Sequence, residues 1–111
     1  MRVYRYTVEG HGFLTAADEY FDIQDIFCID WIFTAKLPQP KINMNNTISY
    51  FTERGNKTFH KAIKAYKKLY KNKGVEMICT ISEINEEDIL YQDIYQVVLI
   101  DWNSDQDKNA A

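Results

Sequence analysis

Glycine and proline are scarce in this 111-residue chain, which has four glycines and two prolines. Disordered and low-complexity chains are rich in such residues and poor in apolar ones, whereas 46% of this sequence is hydrophobic and 14% is aromatic. A chain of this length buries roughly two-thirds of its surface when it folds, which suffices for one core without disulfides or metal ions. We therefore predict one domain over residues 1–102, followed by a frayed polar tail over residues 103–111.

Long apolar runs are also absent, since no segment approaches the roughly 18 consecutive apolar residues of a membrane span. The first residues alternate between polar and apolar side chains, unlike the apolar block of a signal peptide. Cysteine is limited to Cys28 and Cys79, which lie far apart in the chain and are expected to stay reduced inside a cell. These features predict a cytoplasmic protein without membrane contact.

Residues that commonly carry catalysis or bind metals are few. His11 lies between two glycines, His60 lies next to a lysine, and neither has an orienting partner nearby in the sequence. The chain has no Cys-x-x-Cys pair, no His-x-x-x-His pair and no glycine-rich phosphate loop, and these are the motifs of metal and nucleotide sites. We predict no cofactor, no metal and no enzymatic activity. A small hydrolase or transferase that uses His11 or Cys28 is the alternative.

The first residues of the chain indicate a β-hairpin. Residues 2–9 alternate with the period of two that is typical of a half-buried strand. Gly10 and Gly12 then predict a turn, because glycine adopts positive φ angles at little cost. Residues 13–16 are expected to return as the second strand of this hairpin.

Residues 17–35 permit two interpretations. Thr15 and Asp18 can cap a short helix that ends near Gln24, and the alternation over Phe27–Phe33 then favours a strand. A single longer helix over the whole segment is the competing interpretation.

The second half of the chain has clearer signals. Asn56 suits the N-cap and Gly74 the C-terminal end of a helix over residues 57–72. The run Val97–Ile100 is apolar on both faces, which is typical of a central strand. The predicted strands cover residues 47–53, 75–84 and 90–100.

These elements predict an α+β fold. In this two-layer domain, one well-defined basic helix (57–72) packs on a mostly antiparallel sheet of about four to five strands, and one interpretation adds a short N-terminal helix. A strand, a helix and a strand in succession favour a right-handed crossover. A homodimer is expected if the last strand lies at a sheet edge, because Val97–Ile100 would otherwise be exposed.

Charge is unevenly distributed along the chain, although the formal net charge is only −3. The window Arg54–Lys73 holds eight cations and no acid, and the remaining residues hold five cations and all 16 acids. At about 100° per residue, six lysines of the basic helix fall opposite its apolar stripe. We call this surface the lysine face and predict that it binds nucleic acid or an acidic protein partner. Its members are Lys57, Lys61, Lys64, Lys67, Lys68 and Lys71.

A second candidate interface lies in the first third of the chain. This region has more large aromatic side chains than a short strand or helix can easily bury, and aromatic residues are enriched at protein interfaces. Acidic residues accompany them. The predicted acidic and aromatic interface consists of Asp18, Glu19, Tyr20, Asp22, Asp25 and Trp31.

In its size, acidity and lack of a catalytic motif, the chain resembles small proteins of phages and mobile elements, including anti-CRISPR inhibitors of bacterial defence systems. This resemblance rests on general properties and transfers no residue. It implies a non-enzymatic interaction protein that binds and inhibits a partner macromolecule, such as a host nuclease complex of protein and nucleic acid. A nucleic-acid-binding module that uses the lysine face is the alternative.

Overall fold

The computed structural model describes residues 1–101, apart from the side chains of Asp30 and Thr34. The predicted tail over residues 103–111 therefore lies outside the described residues. The fold is α+β, as predicted, with helices packed on a curled antiparallel sheet. The strands are β1 (Arg2–Val8), β2 (His11–Gly12), β3 (Thr47–Thr52), β4 (Met77–Glu83), β5 (Ile89–Gln92) and β6 (Gln96–Ile100). The helices are α1 (Phe13–Tyr20), α2 (Ile23–Lys36), α3 (Glu53–Thr58) and α4 (His60–Asn72), with one 3₁₀ turn at Glu86–Asp88.

Strand β1 organises the sheet. It pairs along its whole length with β4, from Arg2 opposite Glu83 to Val8 opposite Met77. On its other side it pairs briefly with β2 and with β3, and β6 and β5 follow beyond β3. Because β3 and β4 are both antiparallel to β1, they run parallel to each other. The connection through α3 and α4 is thus the predicted strand–helix–strand crossover.

Strand β6 lies between β3 and β5, which confirms its predicted central position. Val97 and Val98 are fully buried, so the expected reason for dimerisation through the last strand is removed. The prediction of one continuous strand over residues 90–100 is wrong. Asp93 makes a turn between β5 and β6, because its carboxylate accepts hydrogen bonds from the backbone N–H groups of Tyr95 and Gln96 at 2.8 and 3.0 Å.

The N-terminal hairpin exists but is shorter than predicted. The turn is made by Glu9 and Gly10, both with positive φ, and β2 contributes only two residues. The expected strand over residues 13–16 is wrong, since Phe13 begins helix α1. Phe13, Ala16 and Ala17 are buried, and this spacing of three and four residues is that of one helix face.

Residues 23–36 form helix α2, so the predicted strand over Phe27–Phe33 is wrong. Ile26 and Phe33 are buried at helical spacing, whereas Phe27, about 100° further round the helix from Ile26, is exposed. The alternative of one long helix is also incomplete. The backbone is extended at Phe21 and Asp22, which separates α1 from α2.

The predicted basic helix is divided into α3 and α4 by a break at Phe59. The expected N-cap at Asn56 is wrong, because the Thr52 hydroxyl caps α3 by accepting from the Gly55 N–H at 3.0 Å. Asn56 instead lies inside α3 and accepts a hydrogen bond from the Tyr6 hydroxyl. The predicted end at Gly74 is confirmed, since its φ of +77° closes α4.

Aromatic rings fill the space between the sheet and the helices. Phe13 lies at the centre, with ring centroids 5.3 Å from Tyr66 and 5.8 Å from Phe33. The Tyr70 hydroxyl donates a hydrogen bond to the Phe13 carbonyl. Rings at these spacings and in edge-to-face arrangements add to the stabilisation from burial. The core therefore ties α1, α2 and α4 to one another and to the sheet.

Candidate functional site

The lysine face is exposed along its whole length, as the helical periodicity predicts. All six of its lysines are exposed, and His60 lies exposed beside them. The opposite side of α4 is buried against the core through Ala62, Ile63, Tyr66 and Tyr70. The four lysines between Lys61 and Lys68 stand on about two turns of one rigid helix, and Lys71 extends the face to about 15 Å.

Few acids neutralise the lysine face. Glu53 forms an ion pair with Lys57, with 3.8 Å between the carboxylate and the ammonium, and both side chains are mostly exposed. Such a pair contributes little in water. Within residues 1–101, no ion pair joins the other five lysines to an acid. Their charges therefore remain free to attract an external anion.

The positive surface continues beyond the predicted residues. A groove of about 700 Å³ beside α3 is lined by Arg2, Arg54 and Lys57, together with the acids Glu53 and Asp93. Arg2 pairs with Glu83 at 3.6 Å, whereas Arg54 has no ion pair among the described residues. Arg54 lies in the basic window of the sequence and could have been included from its position. Arg2 could not have been predicted from the sequence, because only the pairing of β1 in the sheet brings it to this groove.

The predicted acidic and aromatic interface is only partly assembled. Asp18, Glu19, Asp22 and Asp25 are exposed around the junction of α1 and α2. Tyr20 is partly buried, and its ring packs edge-to-face on Tyr70 at 5.6 Å. The hydrogen bond to Glu9 also raises the pKa of Tyr20.

Trp31 belongs to a different surface, on helix α2. It is 57% exposed, and Phe27 and Ile23, one and two turns earlier, are 64% and 74% exposed. Cys28 is exposed as well. We call this surface the α2 outer face; it consists of Ile23, Phe27, Cys28 and Trp31. Ile23 and Phe27 were missed because the strand interpretation gave them no common face, and the spacing of four residues was the available signal.

A cleft of about 410 Å³ opens where β1 and β3 diverge. The two strands pair only at Val3–Thr52 and Tyr4–Phe51. No Asp, Glu, His or Cys is found among the described residues that line the cleft. Burial raises the pKa of Tyr6 to about 12, so this lining hydroxyl stays protonated at neutral pH.

The other sequence-predicted reactive residues do not come together. His11 and Cys28 are exposed on β2 and α2, outside the cleft. Cys28 and Cys79 are free thiols. In the part of the chain that the structure describes, no three His, Cys, Asp or Glu side chains are grouped in a way that could hold a metal ion. No helix among those residues is long and apolar enough to cross a membrane.

Comparison with known proteins adds no assignment. A scan against protein-family models, a search of curated proteins and a search of solved structures each found no match to this chain.

Proposed function

We propose that this chain is a small non-enzymatic interaction protein that binds the nucleic-acid component of a partner complex through the lysine face. The observation that carries the proposal is the exposure of all six lysines on consecutive helices, with one acid paired to them. A helix selected only for solubility would mix acids with its lysines, because like charges four residues apart repel. Lys64 and Lys68, and Lys67 and Lys71, are such pairs on α4.

Electrostatics supports nucleic acid as the ligand. Each lysine that contacts a phosphate releases a condensed counterion, and this release drives binding without base recognition. Phe59, Tyr66 and Tyr70 are buried, so these aromatic residues of the helix are not available to stack on bases. We therefore expect binding that depends on charge rather than on sequence, with a Kd on the order of 10⁻⁴ to 10⁻⁶ M at physiological salt.

Inhibition of the partner is the second part of the proposal. A nuclease complex needs its bound strand accessible, and a protein of this size that covers the strand blocks access to it. This part is supported by the general resemblance to phage and mobile-element inhibitors. It is tested separately, by adding the protein to a guide-RNA nuclease reaction and measuring cleavage.

Binding is tested by fluorescence anisotropy with labelled duplex DNA, single-stranded DNA and RNA over a series of salt concentrations. We expect log K to fall linearly with log salt. Replacing Lys61, Lys64 and Lys68 together by glutamate should weaken binding at least 100-fold and reduce the slope by roughly 2 to 3, since each phosphate contact contributes roughly 0.7 to 0.9.

Lys41→Glu is the matched control for the single substitution Lys64→Glu. Lys41 is an exposed lysine in the loop between α2 and β3, away from the lysine face, and both substitutions change the net charge equally. Lys64→Glu should weaken binding several-fold more than Lys41→Glu. Absence of binding at low salt, or equal effects of the two substitutions, would contradict the proposal.

A further inference from the structure

The cleft between β1 and β3 carries charge of one sign. Arg5 is the single charged side chain among the described residues that line it. Arg5 is partly buried, and no acid forms an ion pair with it in the described part of the chain. Because less water screens the charge of a partly buried guanidinium, it attracts an anion more strongly than a fully exposed cation does. The cleft is therefore electrostatically suited to a negatively charged ligand.

Gly12 borders the space in which the anionic group of such a ligand would lie. A β-carbon at position 12 would lie 3.9 Å from a terminal guanidinium nitrogen of Arg5 and 4.0 Å from the hydroxyl oxygen of Thr15. Both side chains are hydrogen-bond donors, and both line the cleft. Since glycine has no β-carbon, the space beside these two donors is open. One carboxylate beside Gly12 can accept hydrogen bonds from both.

The same side of the sheet supplies an apolar wall. Val3 of β1 lies opposite Thr52 of β3, and side chains alternate between the two faces along each strand. Arg5 therefore shares a face with Tyr50 and Ile48, which are partly buried and also line the cleft. A tyrosine ring and a branched aliphatic side chain offer an aromatic group favourable surfaces for packing.

The volume of the cleft and its single cation restrict the ligand further. The volume of about 410 Å³ lies near the lower end of the roughly 300 to 1,000 Å³ that is typical of small-molecule sites. A guanidinium matches a carboxylate in shape and can donate two parallel hydrogen bonds to it. A phosphate monoester carries roughly 1.5 to 2 negative charges at neutral pH, and one arginine would leave part of that charge unneutralised. These properties favour a small monoanionic carboxylate.

We propose that this cleft binds a small aromatic carboxylate. The carboxylate group lies beside Gly12, where it accepts hydrogen bonds from Arg5 and Thr15, and the aromatic ring packs on Tyr50 and Ile48. The site uses no residue of the lysine face, so this binding is separate from the proposed binding of nucleic acid. We expect a Kd of roughly 10⁻⁵ to 10⁻³ M for an acid of this size.

NMR titration of the isotope-labelled protein with benzoate, indoleacetate and naphthoate tests the site at concentrations up to about 5 mM, above the expected Kd. The backbone N–H resonances of Gly12 and Thr15 should shift saturably with at least one of these acids, while those of α4 stay unchanged. The neutral amide of the tightest acid should bind at least about tenfold more weakly, because it lacks the charge that Arg5 recognises. The proposal is overturned if no acid gives saturable shifts or if the amide binds as tightly as the acid.

Substitution of Arg5 tests the residue that recognises the anion. Arg5→Gln should weaken binding of the tightest acid by about tenfold or more, since hydrogen bonds between charged groups are lost. Arg54→Gln is the matched control, because Arg54 also has no ion pair among the described residues but lines the groove beside α3 and not this cleft. It should leave acid binding unchanged, and equal effects of the two substitutions would contradict the proposal. Arg5→Gln should still bind nucleic acid nearly as tightly as the native chain, which separates this test from that of the lysine face.

Gly12→Ala tests the position of the carboxylate. The backbone angles of Gly12, φ −55° and ψ 139°, are accessible to any residue, and the added methyl group would make only ordinary van der Waals contacts. The variant should therefore keep the circular dichroism and the unfolding midpoint of the native chain. It should bind the tightest acid several-fold more weakly, because the methyl group occupies the space beside Arg5 and Thr15. If Gly12→Ala binds this acid as tightly as the native chain, the proposed site is wrong.

Discussion

Gly55 approaches the Tyr95 carbonyl so closely that a β-carbon at position 55 would lie 2.0 Å from its oxygen and 2.8 Å from its carbon. This contact joins the start of α3 to the turn between β5 and β6. Thr52 reinforces the joint, because its N–H donates to the Tyr95 carbonyl at 2.9 Å and its hydroxyl donates to the Ile94 carbonyl at 2.6 Å. The start of α3, which begins the segment that carries the lysine face, is therefore anchored to the turn between β5 and β6.

Gly55→Ala is predicted to destabilise the fold by about 3 kcal/mol or more, since overpacking against backbone cannot be relieved by a rotamer change. Urea denaturation followed by circular dichroism measures the change. Thr58→Ala, at an exposed position of the same helix, is the control and should shift stability by less than about 0.5 kcal/mol. A stability of Gly55→Ala equal to that of the native chain would show that α3 does not approach the turn so closely.

Thr52→Val is predicted to cost about 1 to 2 kcal/mol, because it removes the N-cap of α3 and the hydrogen bond to the Ile94 carbonyl while keeping the side-chain volume. Thr52→Ser keeps the hydroxyl and should cost clearly less. The comparison uses midpoints of chemical denaturation at neutral pH. If serine and valine are equally destabilising, the hydroxyl is not the stabilising group.

Stability is predicted to fall as pH rises above about 10, the unperturbed pKa of tyrosine. Burial raises the pKa of Tyr6 and of Tyr70 to about 12, so the folded state keeps protons that the unfolded state releases. The folded state then binds more protons, and the free energy of unfolding decreases with pH between about 10 and 12. Below pH 10 these two groups should contribute no pH dependence.

Denaturation curves at pH 8 to 11 measure this decrease, and tyrosinate absorbance follows the ionisation. The double variant Tyr6→Phe/Tyr70→Phe should show a shallower fall, although it is less stable at neutral pH because two hydrogen bonds are lost. A native chain and a double variant with the same slope above pH 10 would contradict the assignment. Tyr50, a partly buried residue that lines the cleft, supplies a single-site control as Tyr50→Phe.

Local patterns predicted the α4 surface well. The lysines and the apolar residues of that helix have opposite periodic phases, so residue spacing was sufficient to separate the exposed side from the buried side. The central position of β6 was equally predictable from the sequence, because Val97 and Val98 leave the strand no polar face. Both predictions needed only the neighbours of each residue in the sequence.

Helix α2 was not predictable in the same way. Its residues are apolar on both sides, so the periodic contrast that distinguishes a helix from a strand is missing, and the alternation over Phe27–Phe33 favoured the wrong element. The turn at Asp93 was missed because residues 90–100 were predicted as one long strand, whereas the Asp93 carboxylate accepts hydrogen bonds from the backbone of Tyr95 and Gln96. The two helix caps differ in how far the sequence predicts them. Gly74 is recognisable as the end of α4 because glycine favours that position, whereas Thr52 becomes the N-cap of α3 through its contacts with Ile94 and Tyr95.

The sequence by itself determined the α+β class, the basic helix and the segregation of its charge, because these follow from composition and from the fixed periods of helices and strands. Only the tertiary structure decided that α2 is a helix, that its Phe27 and Trp31 stand exposed and that Gly55 must lack a side chain. Each of these depends on which distant segment lies against the residue, such as Tyr95 against Gly55. These contacts form only when the chain folds and brings segments forty residues apart, such as Gly55 and Tyr95, into direct contact.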